Sequence, residues 1–399
     1  TNPSSRYRPD GTGGIINIVL KKNALAGWNS SVTGNIADGN RYNGAVTANY
    51  KNDHWNYFLS ARYRNNNQTR LGFLQRDYYS SNGLINNHYD RHTTSTNLSQ
   101  SLFISGGVTC DINAQDQVGV SVSTYQLNSQ FDQVLDKEFL DTFKLLYSDY
   151  DRVLHSPESQ RQLDADILWD HKFKNEGQNL RVEINSSGVH RDDQNRYQNV
   201  YRLPVIPVTK DNIDLLVDSR QTEVTIDYSK RFSDKSLLEA GYDGTFITND
   251  RDLRASDYND TVNDFVLNYA KTNYFKFNQT VHAVYVNFQA QQKRFGYSLG
   301  ARMLPVGIKG NCVTTDSLFS NNYFRFFPSL QLSYRFKGKD QLQFSYSKRI
   351  NFPEGTDLNP FPDYRDPRNL VAGNPSLKPE IIHSAELGYK KETKKVSFL

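Results

Sequence analysis

The sequence predicts an all-β fold, a transmembrane antiparallel β-barrel with about fourteen strands present, and three observations predict it. The first is a two-residue alternation, clearest from Tyr323 to Ile350. There Phe324, Phe326, Leu330, Leu332, Tyr334 and Phe336 alternate with Arg325, Ser329, Gln331, Ser333 and Arg335. After a Lys337-Gly338-Lys339-Asp340 turn, Leu342, Phe344 and Tyr346 alternate with Gln341, Gln343, Ser345 and Ser347. A period of two puts each set on its own face of a strand, one oily and one wet. The second observation is composition. Hydrophobic residues are only 37% and mean hydropathy is −0.70, yet aromatics reach 13%, with 25 Tyr and 23 Phe. Disordered chains are poor in aromatic and β-branched residues, so this chain folds. The third is an alternation of short and long connections, the asymmetry of outer-membrane barrels.

The oily faces follow in chain order. They are Trp28-Ser30-Val32-Gly34-Ile36, Tyr42-Gly44-Val46-Ala48-Tyr50 and Trp55-Tyr57-Leu59-Ala61-Tyr63, then a poorly alternating run from Leu98 to Cys110. Val118-Val120-Val122, Leu163-Ala165-Ile167-Trp169, Leu180-Val182-Ile184 and Thr222-Val224-Ile226-Tyr228 come next. Leu238-Ala240-Tyr242-Gly244-Phe246, Val281-Ala283-Tyr285, Tyr297-Leu299-Ala301-Met303, the opening pair and Ala385-Leu387-Tyr389 complete the set. Short turns are expected at 51–54, 111–117, 174–179, 232–236, 291–294 and 337–340. Long polar loops are expected at 65–96, 127–160, 190–220, 248–276, 305–322 and 351–379. Ten residues rising ~3.3 Å each and tilted ~40° span ~25 Å, the height of a barrel's apolar band. Tyr50, Trp55, Trp169, Tyr228 and Tyr334 lie near the short turns, as an interfacial girdle requires. Pro328 cannot donate to a ladder, so it belongs at a bulge or where its strand projects past the membrane.

A soluble β-sandwich also alternates inside and outside. Its core, however, favours packed Val, Ile and Leu, and its loops do not sort into short and long ends. No stretch approaches the roughly 18 apolar residues of a membrane helix, which leaves strands as the only means of crossing. The 47 basic and 43 acidic residues are scattered, so no nucleic-acid partner is expected. Cys110 and Cys312 are too few and too far apart for a disulfide scaffold.

Two stretches resemble TonB-dependent outer-membrane receptors, particularly the Bacteroidota type. One is Asn2-Pro3-Ser4-Ser5-Arg6-Tyr7 followed by Asp10-Gly11-Thr12-Gly13-Gly14-Ile15-Ile16-Asn17-Ile18-Val19-Leu20-Lys21-Lys22. The other runs from Tyr346-Ser347-Lys348-Arg349 through Leu358-Asn359-Pro360-Phe361 and Asp366-Pro367. It ends with Gly373-Asn374-Pro375-Ser376-Leu377-Lys378-Pro379-Glu380 and Glu386-Leu387-Gly388-Tyr389. Gly13, Gly14, Arg349, Asn359, Pro360, Gly373, Asn374, Pro375, Leu377, Pro379 and Glu380 carry the likeness. The resemblance implies a plugged barrel of roughly 22 strands. Residues 1–24 would be the end of the plug and 25–399 about two-thirds of the barrel, with the TonB-contacting box upstream. Such a piece would expose two unpaired edges and not insert stably alone.

Other chemistry finds no support. Asp10-Gly11-Thr12-Gly13-Gly14 precedes a β-branched run, whereas a phosphate-cradling loop opens a helix. Asp164 and Asp166 share the face opposite Leu163 and Ile167, and read as solvated lumen lining rather than an acid/base pair. His88 and His92 lack supporting carboxylates at metal-site spacing. The chain reads as non-enzymatic, with no cofactor. Arg76, Tyr78, Tyr79, His88 and Tyr89, aromatic and cationic residues of a long loop, are the candidate ligand contacts. The expected function is a receptor that takes up a scarce nutrient, an iron chelate, oligosaccharide or peptide, with membrane lipid, TonB and that substrate as partners. A barrel for adhesion, signalling or surface display is the alternative, and a secreted glycan-binding β-protein a third.

Overall fold

The computed structural model describes residues 4–9, 26–337, 340–364, 370–392 and 397–398. Its strands are β1 (Gly27–Ala37), β2 (Arg41–Lys51), β3 (Trp55–Tyr79), β4 (Ile85–Asp111), β5 (Asp116–Asp141), β6 (Leu146–Lys172), β7 (Gln178–Leu203) and β8 (Thr209–Ser233). They continue with β9 (Ser236–Asn259), β10 (Asp264–Leu267), β11 (Asn273–Gln292), β12 (Phe295–Cys312), β13 (Ser317–Arg335), β14 (Gln341–Asn351), β15 (Glu380–Glu392) and β16 (Ser397–Phe398). Each pairs antiparallel with its sequence neighbour, except that β10 folds back on β9 alone and β11 takes its place beside β9. Every one of the fourteen alternating segments falls in its own long strand of this barrel wall.

The oily faces point outward. Trp28 and Val32 are each 78% exposed, Leu163 58% and Leu59 56%. Rings cluster at the short-turn end, where Trp28 meets Tyr50 at 5.0 Å and Trp55 meets Tyr57 at 5.8 Å. The inner face can be followed from strand to strand, because paired residues share a face. Glu223 pairs with Asn185, Asn185 with Asp166, Asp166 with Ser121 and Ser121 with Gly107. Asp164 and Asp166 accept hydrogen bonds from Ser123 and Ser121, both 3.0 Å, on that inner wall.

Two expectations are corrected. The face assigned to β11 is inverted: Ala283 and Tyr285 are 1% and 3% exposed, whereas Val284 and Val286 are 59% and 45%. Apart from His282, both faces are apolar from Val281 to Val286, so alternation alone gives no phase there. The inner set is instead fixed by contact, Ala283 within the largest buried cluster and Tyr285 through its hydroxyl on Asp227.

The second correction is larger. Five of the six long polar loops are strand for most of their length. The connections left are 80–84, 142–145, 204–208, 260–263 with 268–272 around β10, and 313–316. Among the described residues, only the connection between β14 and β15 remains a long excursion. Above the apolar band both faces are wet, so the sequence loses its oily alternation although the ladder continues. Arg76, Tyr78 and Tyr79 therefore lie in β3, and His88 and Tyr89 in β4. Strands of 25 to 27 residues rise ~80–90 Å along their axes, so tilted walls project well beyond a ~25 Å band. Pro328 sits where the β13–β14 ladder stops, since that pairing begins at Ser329. A residue with no N–H fits the end of a ladder.

Candidate functional site

Two chain segments lie against the inner wall, and together they build the site. The first is Ser4 to Pro9. Spaced by two, Arg6 and Arg8 meet carboxylates spaced by four on two neighbouring strands, Glu223 and Asp227 of β8 and Glu239 and Asp243 of β9. Arg8 is bidentate on Asp243, Nε and Nη2 each 2.9 Å from an oxygen, and donates from Nη1 to Glu223 at 2.8 Å. Arg6 donates to Glu239 at 2.8 Å and lies 3.6 Å from Asp227. Arg302 of β12 closes the group with a 2.8 Å bond to Asp243. Bidentate pairs of this kind are charge-assisted and geometrically exacting. Burial works against the Arg8 cation, yet Glu223 and Asp243 outweigh it and hold its pKa above the ordinary value.

The segment also seats sterically. The Ser5 hydroxyl shares a 2.7 Å hydrogen bond with Ser329. A Cβ at Gly300 would come 2.1 Å from Ser5 Oγ, so that glycine makes the room. Pro9 accepts a 3.0 Å hydrogen bond from the Ile350 amide, which joins this strap to β14 just before the second segment begins.

The second segment, residues 352–364 and 370–379, folds inward after β14. Its one-turn helix α1 (Gly355–Leu358) sends Leu358 into a core of Phe275, Phe277, Leu304, Val306, Ile308 and Ile350. Gly373 and Asn374 then return beside α1. Their amides donate to the Asn359 carbonyl at 2.7 Å and the Asp357 carbonyl at 2.6 Å. A Cβ on Gly373 would stand 2.4 Å from the Asp357 oxygen, which explains glycine there. Asn321 of the wall donates to the Pro375 carbonyl at 3.1 Å, and Leu377 donates to Asn374 at 3.0 Å. Asn359, Gly373, Asn374, Pro375 and Leu377 thus form one knot. Pro360 and Pro379 belong to the same excursion, Glu380 opens β15 opposite Asn351, and Arg349 of β14 pairs with Ile382 of β15. Gly13 and Gly14 lie outside the described residues, as do 10–25 as a whole.

The five proposed ligand contacts are not gathered into one site. Arg76 pairs with the inward-facing Tyr89, and Tyr78 lies two residues on with its ring 6.0 Å from the Arg76 guanidinium. Tyr89 is 3% exposed and stacks on Phe139 at 4.7 Å. His88 bonds Asp77 at 2.6 Å on the opposite face, and Tyr79 is 64% exposed at a bulge. The clamp of Arg6, Arg8, Arg302 and four carboxylates was missed. Its signal was present, since even spacing puts Glu223 with Asp227, and Glu239 with Asp243, on one face. Nothing in that spacing, however, says which distant arginines they meet. Among the described residues no group of three or more His, Cys, Asp and Glu is arranged to hold a metal ion.

Comparison with known proteins adds the following. The Outer membrane protein beta-barrel family matches residues 171–399. No curated protein sequence matches. Among solved structures, a copper transporter, OprC, aligns with TM-score 0.52 at 10% identity, over 94% of this chain and 53% of its own. A toluene transporter, TodX from Pseudomonas putida, aligns with TM-score 0.32 at 9% identity over 82% of each chain. The pyoverdine outer membrane receptor FpvA from Pseudomonas aeruginosa PAO1 gives 0.31 at 8% identity, over 93% of this chain and 72% of its own. This chain thus spans about half the length of the copper transporter, and the likeness is one of fold.

Proposed function

We propose a function from one premise: this chain belongs to the Outer membrane protein beta-barrel family. It lies in an outer membrane, with its apolar belt against lipid. On that premise we read it as part of a TonB-dependent receptor of the Bacteroidota type, which captures a scarce nutrient and passes it inward. Residues 1–24 are then the end of a plug and 25–399 barrel wall. It is a transporter in this reading, not an enzyme.

The observation that carries the reading is the strap Ser4–Pro9, held on the inner wall by Arg6 and Arg8. A segment lying on the inner wall narrows the lumen, and charge-assisted bonds hold it without making it covalent. Moving it needs work from outside, and the outer membrane has no nucleotide supply. That favours coupling to an inner-membrane energy source through TonB, over a passive pore. The inward knot at 352–379 narrows the same passage and supports the same reading.

Growth of a deletion strain on panels of iron sources, glycans and peptides, with uptake of labelled compound measured, tests it. The expected result is loss of uptake of one nutrient class, reproduced by deleting TonB. Uptake that survives TonB deletion would overturn the proposal. Surface binding with no uptake would instead move the chain to adhesion, signalling or display.

A further inference from the structure

Above the membrane band, the inner wall of β4 to β7 carries a cleft of about 500 Å³, lined among others by Arg91, Thr93, Asn97, Ser129, Glu158 and Asp193. That size falls within the usual range for small-ligand sites. Its two ends differ in charge. At one end Arg91 has its Nε shielded from solvent with no acceptor, and no carboxylate pairs with it among the described residues. The guanidinium thus has no ion-pair partner among the described residues, and a ligand oxyanion would supply one.

At the other end Glu158 and Asp193 stand directly opposite each other on β6 and β7. Like charges in that position destabilise a sheet. Arg191 takes up Asp193 at 3.1 Å. Burial, and then the Asp193 charge, push the Glu158 carboxyl above its ordinary pKa, and the Arg191 cation offsets only part of that. A ligand cation placed there would relieve both effects. Between the ends the wall offers neutral donors and acceptors such as Thr93, Asn97 and Ser129.

The separation sets the ligand's length. Glu158 pairs with Ser129 and Ser129 with Ser99, so Arg91 lies eight residues further along β4. Eight residues are roughly 26 Å along the strand. An extended peptide of seven or eight residues spans roughly that distance. We propose that this cleft binds a short zwitterionic peptide, its terminal carboxylate on Arg91 and its terminal ammonium at Glu158 and Asp193. Neutral glycans carry neither end, and an acidic sugar would satisfy only Arg91. The proposal rests on the receptor reading and names its substrate class.

The test uses the complete receptor in detergent and titration calorimetry with four probes: an alternating Ala/Ser octapeptide, its N-acetyl form, its C-terminal amide, and maltotetraose. The free octapeptide should bind, and blocking either end should weaken binding about tenfold, as expected for losing one charge-assisted contact. In Arg91→Gln the amide should bind as well as the free acid. In Glu158→Gln the acetyl penalty should vanish in the same way. Unchanged heat-modifiable migration would show that both variants fold. No binding of the octapeptide, equal binding of the blocked forms, or preference for maltotetraose would overturn the proposal. Peptide binding without cellular uptake would count against transport and leave the cleft standing. Uptake of another nutrient without peptide binding would do the reverse.

Discussion

Gly373 and Asp243 show how single positions hold the two inner segments. At Gly373 the added Cβ of an alanine would meet the Asp357 carbonyl at 2.4 Å, with backbone on both sides. Backbone cannot swing away as a side chain can, so Gly373→Ala should displace the turn and break the bonds to Asn359 and Asp357. The cost belongs in the upper part of the usual range, about 2–3 kcal/mol. Limited proteolysis should then cut within 352–379 in the variant and not in the parent. Asp243 is the shared acceptor of Arg8 and Arg302, and the Arg302 side chain is only 2% exposed. Asp243→Asn would leave Arg302 buried with a weakened partner, at about 3 kcal/mol. Hydrogen exchange should show faster labelling of Ser4–Pro9, and unchanged protection there would contradict the clamp. Residues of the first kind were legible as a signature, Gly373-Asn374-Pro375, though not for what they do. Residues of the second kind were not legible, because pairing across 235 positions leaves no local mark.

For whole strands, legibility followed chemistry. Most strands were readable where one face meets lipid, since there the side chains must differ between faces; β11, apolar on both faces, was read with its faces inverted. Where the same strand rises into water, neither face is selected for apolarity, and Arg76-Asp77-Tyr78-Tyr79 reads as loop although it is ladder. The wet parts are held by polar pairs such as His155 with Asp132 at 2.6 Å and Arg202 with Asp151 at 2.7 Å. The turn around β10 makes the point testable. Burial pushes the Asp257 carboxyl up, but hydrogen bonds from Asn268 at 2.6 Å and Lys271 at 2.9 Å overcome it and hold its pKa below the ordinary value. A depressed carboxyl stabilises the folded form above the unfolded pKa of about 4 and loses that contribution as pH falls through its own lower value. Amide exchange at 268–272 should therefore quicken on acidification below pH 4, once corrected for intrinsic rates. Asp257→Asn should remove that pH dependence.

For the whole molecule, exposure alone does not separate lipid from water, because an outward residue is bare to either. The identity of the outward residues does. On β5 the outward series begins with Val118, Val120 and Val122 and continues through Gln130, Asp132, Asp136 and Glu138, all on one face of one unbroken strand. Val122 and Val134 share that face and are similarly exposed, 46% and 38%, yet they stand twelve residues apart. If the band ends between them, the same substitution must have two costs. An arginine on the lipid face near the midplane costs about 2–4 kcal/mol, falling towards zero outside the band. Val122→Arg in the complete protein should therefore lose that much stability on refolding into lipid vesicles, measured by denaturant titration. Val134→Arg should be within about 0.5 kcal/mol of the parent, as ordinary surface changes are. Equal costs at the two sites would mean that the wall does not leave the membrane where its chemistry changes, and the projecting strands would have to be placed differently.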